Sequence, residues 1–246
     1  MNELAGKAAL VTGGSRGIGA AIALRLARNG ADVALTYVRS EDRAAAVVRQ
    51  IERLGRCGLA IAADAADPVA VRAAVDRAAR GLGRLDILVN NAGIAPYGPL
   101  ADVTAEEIDK TLAIHVRAAY VASQAAARHL PEGGRIISIG SSLAERVTSP
   151  GWTLYAMSKS ALIGLTKGLA RDLGPDGITA NLVHPGSTDT EMNPADSPEA
   201  EAERAFTALG RYADPDDIAA TVAHLAGPAG AYLTGSAITV DGGVTA

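Results

Sequence analysis

Two kinds of apolar run alternate along the chain. Residues 8–11, 33–37, 59–62, 85–89, 135–139, 179–183 and 237–240 are short and rich in Val, Ile, Leu and Ala, as strands covered on both faces should be. Between them, apolar positions recur at helical spacing, as in Ile22 and Leu26, predicting helices over 18–28, 43–54, 104–129 and 154–173. Asp67-Pro68 and Asp214-Pro215 each place a capping aspartate before a proline at a first helical position, which starts two further helices. Thr104 and Glu107 have capping-box spacing. One segment, 187–213, breaks the rhythm: it is polar and acidic, carries Pro194 and Pro198, and exceeds an ordinary connection. It is expected to form a substrate lid.

Strands and helices in this alternation predict a single α/β domain over 1–246, a doubly wound parallel sheet of about seven strands with helices on both faces. Ligands in such sheets bind at the carboxyl ends of the strands. The glycines after the first strand, Asn90-Asn91-Ala92-Gly93 after the fourth, Ser141-Ser142 after the fifth and Pro185-Gly186 after the sixth therefore converge on one rim.

Composition narrows the function. Hydrophobic residues make up 48% of the chain and aromatic residues only 3%, so the core is expected to be aliphatic. The net charge is −4, with both signs mixed along the chain, which advertises neither a nucleic-acid groove nor affinity for an anionic membrane. No apolar run approaches the roughly 20 residues of a membrane helix. The one cysteine, Cys57, cannot form an internal disulfide and is read as a packing residue in a reducing, cytoplasmic setting. No metal site is expected.

The turn Thr12-Gly13-Gly14-Ser15-Arg16-Gly17-Ile18-Gly19 lies between a strand and a helix. Its glycines let the backbone approach a pyrophosphate, which the free N–H groups of the following helix attract. A purely structural turn, or another phosphate ligand, is the competing reading. Tyr155 and Lys159, four residues apart, share a helix face. A free phenol has a pKa near 10, and a nearby ammonium favours its ionised form; elsewhere such a pair would be read as a surface pair.

These features together, with Asn90-Asn91-Ala92-Gly93, Tyr155-Ala156-Met157-Ser158-Lys159, Asn181 to Pro185-Gly186 and Val240-Asp241-Gly242-Gly243, resemble the short-chain dehydrogenase/reductase family of Rossmann-type proteins over nearly the whole length. The resemblance implies a dinucleotide held by Gly13, Ser15, Arg16, Gly17, Ile18 and Gly19, by Asn91, Ala92 and Gly93, and by Tyr155 and Lys159. It puts Asp64 at the adenine, and Pro185, Gly186 and Thr188 at the nicotinamide end. NAD-preferring members carry an acidic residue where this chain has Tyr37. Arg16 and Arg39 instead suit a 2′-phosphate, so NADP(H) is expected, with NAD(H) the alternative.

The resemblance makes Tyr155 the general acid/base, Lys159 its tuning charge, and a serine after the fifth strand the carbonyl-polarising group. Ser141 is the choice and Ser142 the runner-up. His115 stands where the family usually has a proton-relay asparagine: either the imidazole replaces the amide in the relay, or it satisfies a buried backbone group while protons leave elsewhere. The expected substrate is a small carbonyl compound or secondary alcohol, with Trp152, Met192 and Phe206 candidates for an apolar pocket. The chain is also similar to 3-oxoacyl-carrier-protein reductases, but Glu132 and Asp176 stand where those present basic groups to an acidic carrier, which demotes that partner. A regulator that binds the dinucleotide without turnover is the reading from another class. The helices over 104–129 and 154–173 are where family members pair into homodimers or homotetramers.

Overall fold

In β1 (Ala8–Val11), Ala9 and Val11 pack against one layer of helices and Leu10 against the other, the period-two alternation that a sheet covered on both sides requires. The computed structural model describes residues 2–246, so Met1, at the edge of the domain expected over 1–246, lies outside the described residues. The other strands are β2 (Asp32–Tyr37), β3 (Gly58–Ala62), β4 (Ile87–Asn90), β5 (Arg135–Ile139), β6 (Thr179–Pro185) and β7 (Ala237–Val240). All pair in parallel in the order β3-β2-β1-β4-β5-β6-β7. The order reverses between β1 and β4, where a crevice opens at the strand ends.

One face carries α1 (Gly17–Arg28), α2 (Glu41–Arg53) and α8 (Pro215–Ala226), whose Ile22, Leu26, Val47, Ile51, Ile218 and Val222 close the first core layer. The other carries α3 (Pro68–Gly81), α5 (Ala118–Ala126) and α6 (Thr153–Leu173). Ala74, Ala78, Ala118, Ala122 and Ala125 dominate the contact between α3, α5 and the sheet; their small volume permits close packing without aromatic fillers. The Asp67, Thr104 and Asp214 caps form, the latter two as full capping boxes.

Four details depart from expectation, the fourth at Asp86 below. The helix predicted over 104–129 is α4 (Ala105–Leu112), a π-helical turn (Ala113–Arg117) and then α5. The segment 187–213 contains a short helix, α7 (Ala200–Phe206), which its charged composition hid. Cys57 is an exposed free thiol just before β3, not a packing residue; its backbone N–H donates to Asp32 at the sheet edge. No described helix is long and apolar enough to cross a membrane.

Residues 85–89 read as a strand, yet the ladder begins at Ile87 because Asp86 has another task. Its carboxylate, 2% exposed, accepts from Lys7, Arg84 and the Ala8 N–H, tying the start of β1 to the start of β4. Burial pushes this carboxyl upward, but the hydrogen bonds from Arg84, Ala8 and Lys7 outweigh it and hold the pKa below the ordinary 3.8. Its stabilisation is therefore present above that ordinary value and is lost as pH falls through the lower folded value. Asp86→Asn is expected to cost about 2–3 kcal/mol at neutral pH, since both cations are partly solvated, and to flatten the acid limb of stability. Urea unfolding across pH would detect either change; an unaltered acid limb would contradict the assignment.

Candidate active site

The rim is assembled by backbone hydrogen bonds around the first glycine turn. Thr12 Oγ1 accepts from the N–H groups of Asn91 and Ala92 at 2.9 and 3.0 Å. The Asn91 amide donates to the carbonyls of Thr12 and Gly13 at 2.9 and 3.1 Å. Gly13 N–H donates to Thr36 Oγ1 at 2.9 Å, and Gly14 N–H to the Thr36 carbonyl. The ends of β1, β2 and β4 are thus fixed to one another. Gly13, at φ 65°, uses the left-handed backbone that glycine tolerates.

This turn fits a pyrophosphate. A Cβ on Gly19 would lie 2.4 Å from the Gly13 carbonyl oxygen and 2.5 Å from the Asn91 amide, so only glycine lets α1 start so close to the turn. No side chain caps α1: Arg16, its N-cap, is extended and makes no capping bond. Together with Ser15, Gly17 and half-buried Ile18, the turn leaves the helix's first N–H groups to the groove. Arg16 and Arg39 are exposed and make no ion pair among the described residues. Tyr37 ends β2, so no carboxylate occupies that strand end. Asp64, past β3, is exposed and accepts from Ala66 N–H in a local turn. Pro185 ends β6, Gly186 N–H donates to Val240, and Thr188 is buried with its hydroxyl on the Gly186 carbonyl.

Tyr155 and Lys159 lie on α6, one turn apart, facing this rim. Lys159 is 5% exposed, and its ammonium donates to the Ile139 carbonyl at 3.0 Å. Burial lowers its pKa from 10.5 to about 8. The ammonium lies 5.7 Å from the centre of the Tyr155 ring. The sequence led us to expect a phenol made acidic by its lysine. The structure corrects this for the free protein: burial raises the phenol above its ordinary value, and the Ser141 side chain partly opposes that. Lys159 is aimed at a backbone carbonyl rather than at the hydroxyl.

Of the two serines, Ser141 is the one whose side chain acts on the Tyr155 phenol. Its Oγ also accepts from Leu143 N–H at 3.2 Å. Ser142 is buried at the start of the next turn, its carbonyl accepting from Glu145 and Arg146.

His115 sits in the π-helical turn, 3% exposed. Its Nε2 accepts from Ile94 N–H at 2.9 Å, and its Nδ1 is 2.8 Å from Ser158 Oγ. Ser158 gives its only hydroxyl proton to the Tyr155 carbonyl at 2.7 Å, so Nδ1–H must be the donor to Ser158 Oγ. Both ring nitrogens are committed and the ring is neutral. Burial first, then the charge of Lys159, push its pKa from 6.5 down to about 3. Gly93 packs against this group: its Cβ would lie 3.3 Å from His115 Nε2 and 3.6 Å from Lys159 Nζ.

The substrate side of Tyr155 is aromatic. Trp152 meets the Tyr155 ring edge-on at 5.6 Å, and Tyr97 tilts against Trp152 at 4.8 Å. A Cβ on Gly151 would enter the Tyr97 ring at 2.6 Å. Met192 and Phe206 stay exposed on the segment 187–213. That segment is pinned at its base by hydrogen bonds from Ala213 N–H to Ser187 and from Asp189 N–H to Ala213. Inside it, Glu203 accepts from Ser187, Asn193 and Tyr212. Sequence reasoning missed Tyr97, Thr12, Thr36 and Ser158. Thr12, directly before the glycines, and Ser158, inside the Tyr155–Lys159 run, carried a positional signal.

No group of three or more His, Cys, Asp or Glu among the described residues is placed to hold a metal ion. Because the unfolded chain takes up a proton at His115 near 6.5 and the folded protein does so only at about 3, this residue lowers stability as pH falls across that window. The His115 ring protons are expected to show no titration as pH is lowered through 6.5. An NMR midpoint near the ordinary value would contradict the closed hydrogen-bond set.

A family model described as enoyl-(acyl carrier protein) reductase matches residues 13–245. The cyclic-di-GMP-binding biofilm dispersal mediator protein of Escherichia coli (strain K12) is 45% identical over 98% of each chain. A short-chain dehydrogenase from Burkholderia cenocepacia J2315, solved in complex with NADP, is 64% identical over the whole of both chains, with a TM-score of 0.99. A blue fluorescent protein from a metagenomic library, solved in complex with NADPH, is 56% identical over the whole of both chains, with a TM-score of 0.98. With its parallel sheet, glycine turn and Ser141, Tyr155 and Lys159 gathered on one rim, this chain belongs to the short-chain dehydrogenase/reductase family of NAD(P)-dependent oxidoreductases.

Proposed function

We propose that this protein transfers a hydride between NADP(H) and a carbonyl compound or secondary alcohol, with Tyr155 as general acid/base. The observation that carries the reading is the Ser141 side chain beside the Tyr155 phenol, with Lys159 buried on the Ile139 carbonyl one turn along the same helix. It puts a carbonyl-polarising hydroxyl and a proton donor side by side at the carboxyl rim. The dinucleotide, when bound, supplies or accepts the hydride. Arg16 and Arg39 are the groups for a 2′-phosphate, and the NADP-bound and NADPH-bound relatives support that choice over NAD(H).

In reduction, the Ser141 hydroxyl donates to the substrate oxygen and the Tyr155 hydroxyl protonates it. Lys159, 5.7 Å from the ring centre, stabilises the phenolate left behind; at an effective dielectric of about 20 a unit charge at such a separation contributes on the order of 2–3 kcal/mol. Reprotonation runs past Lys159 into a cavity of about 30 Å³ lined by Asn90, Ile139 and His115 among others. Water fits such a space, and Asn90 Oδ1 has no partner among the described residues. The His115 ring then holds the backbone in place, keeps its one proton on Nδ1 and relays none. Of the two roles the sequence left open, this supports the structural one.

Residues 187–213 act as the lid. Thr190 lies against the glycine turn, 3.3 Å from where a Gly17 Cβ would be, and Glu191 pairs with Arg43 of α2 at 3.0 Å. Tyr97 and Trp152 receive the substrate's apolar part. A carrier-bound substrate ranks lower, because Glu132 and Asp176 present carboxylates where an acidic partner would dock. Exposed Tyr120 on α5 and Met157 on α6 support pairing of these helices between copies.

A regulator that binds the nicotinamide dinucleotide without turnover is the second reading, favoured by the similarity to the Escherichia coli biofilm dispersal mediator, a protein named for binding cyclic-di-GMP rather than for catalysis. One assay separates the two. NADPH oxidation is followed over a panel of aliphatic and aryl ketones and aldehydes. The parent is expected to turn over at least one class, and Tyr155→Phe to lose about 10²- to 10⁴-fold in kcat while still binding NADPH. In the same assay, Arg39→Ala should raise KM for NADPH about tenfold or more, with little effect on NADH. NADPH binding without oxidation across the panel would favour the regulator.

A further inference from the structure

His184, directly before Pro185-Gly186, is fully buried at 0% exposure, and the mechanism above gives it no task. Its Nδ1 accepts the Ser141 N–H at 3.0 Å. Ser141 follows the end of β5 and has an extended backbone, φ −165°, so this bond sets where the serine leaves the sheet. The neighbouring residue is shaped for the ring: a Cβ on Gly140 would fall 2.4 Å from His184 Nδ1. An acceptor at Nδ1 requires the ring proton to sit on Nε2. That nitrogen makes no hydrogen bond among the described residues, but Glu145 Oε1 lies 3.6 Å from it. A carboxylate at that distance favours Nε2–H over the other tautomer, which would set two N–H groups against each other at Ser141.

We propose that His184 is a positioning residue for hydride transfer, fixing Ser141 through its backbone N–H, with the Glu145 carboxylate selecting the ring tautomer that can accept it. This rests on Ser141 being the carbonyl-polarising group. The chain of contact is Glu145 to His184 to Ser141 to Tyr155. It joins the loop after β5 and the end of β6 to the proton donor without touching substrate. Lys159, the other charged group acting on the ring, reinforces the neutral form. A serine displaced by a fraction of an ångström would still bind substrate yet hold its oxygen in a poorer line for protonation, so the loss should fall on kcat rather than on KM.

Asparagine places Oδ1 the same number of bonds from the backbone as histidine places Nδ1, whereas leucine fills similar space with no acceptor. With a ketone that the parent reduces, His184→Leu is expected to lower kcat about 10- to 100-fold, with KM and NADPH affinity within about twofold of the parent. His184→Asn should recover kcat to within about threefold. Long-range ¹⁵N–¹H spectra of the parent protein, with the His184 signals assigned by their loss in His184→Asn, should show Nδ1 unprotonated and Nε2 protonated. Glu145→Ala should shift that pattern toward a mixture of tautomers. Parental kcat in a folded His184→Leu protein, or a protonated Nδ1 in the parent, would overturn the proposal. If His184→Leu fails to fold, the tautomer and the asparagine variant still decide it. If the parent reduces no carbonyl compound while the tautomer is as stated, the functional reading fails and the local geometry stands.

Discussion

One buried ammonium governs the site. Lys159 is almost fully enclosed, held by a single carbonyl at the end of β5, and its pKa near 8 reflects how poorly that surrounding solvates a charge. The same enclosure pushes the Tyr155 phenol upward. Two groups that would each prefer to be neutral are packed 5.7 Å apart, ammonium to ring centre. In such a pair, ionisation of the phenol is favoured by the cation and protonation of the amine by the phenolate, so their titrations are coupled. The arrangement costs stability and gains a phenol whose ionisation responds to its neighbour.

The fold keeps this pair where it is by spending ordinary polar groups on backbone positions. Thr12, Thr36 and Asn91 lock the strand ends; His115 and Ser158 join the π-helical turn to the helix that carries Tyr155; His184 holds Ser141. Each of these bonds commits a side-chain donor or acceptor to fixing backbone, while His184 Nε2 is left facing Glu145 without a hydrogen bond. The loosening of the helix at Ala113–Arg117 fits this picture: the π-helical turn lets the His115 ring reach Ile94 N–H, and π-turns of this kind recur at functional sites.

Much of this was legible in the sequence, for identifiable reasons. Strands covered on both faces are short apolar runs, and helix starts such as Asp67-Pro68 and Thr104-Glu107 carry local signals, so element order, the parallel sheet and the convergence of the glycine turn, Ser141, Tyr155 and Pro185-Gly186 could be read. The interruption of the long helix could not, because it arises from contacts of His115 with residues 94 and 158, distant in sequence. Helix α7 was hidden by its charges, and its organising residue, Glu203, gains meaning only from Ser187, Asn193 and Tyr212 around it. Asp86 breaks an otherwise apolar run, and its role as the anchor of two strands comes from Lys7, Ala8 and Arg84 around it. Helical spacing reports that Tyr155 and Lys159 share a face and says nothing of the enclosure that pushes the phenol upward and the amine downward.

The central claim is that the charge of Lys159 offsets the burial of Tyr155 in the step where the phenol accepts or gives a proton. The most direct measurement is the pH dependence of alcohol oxidation with NADP⁺, under conditions where hydride transfer limits the rate, in the parent and in Lys159→Met. Rate should rise with pH as the phenol ionises. The account predicts that this rising limb moves upward by about one pH unit or more in Lys159→Met. A limb at the same pH in both proteins would contradict it.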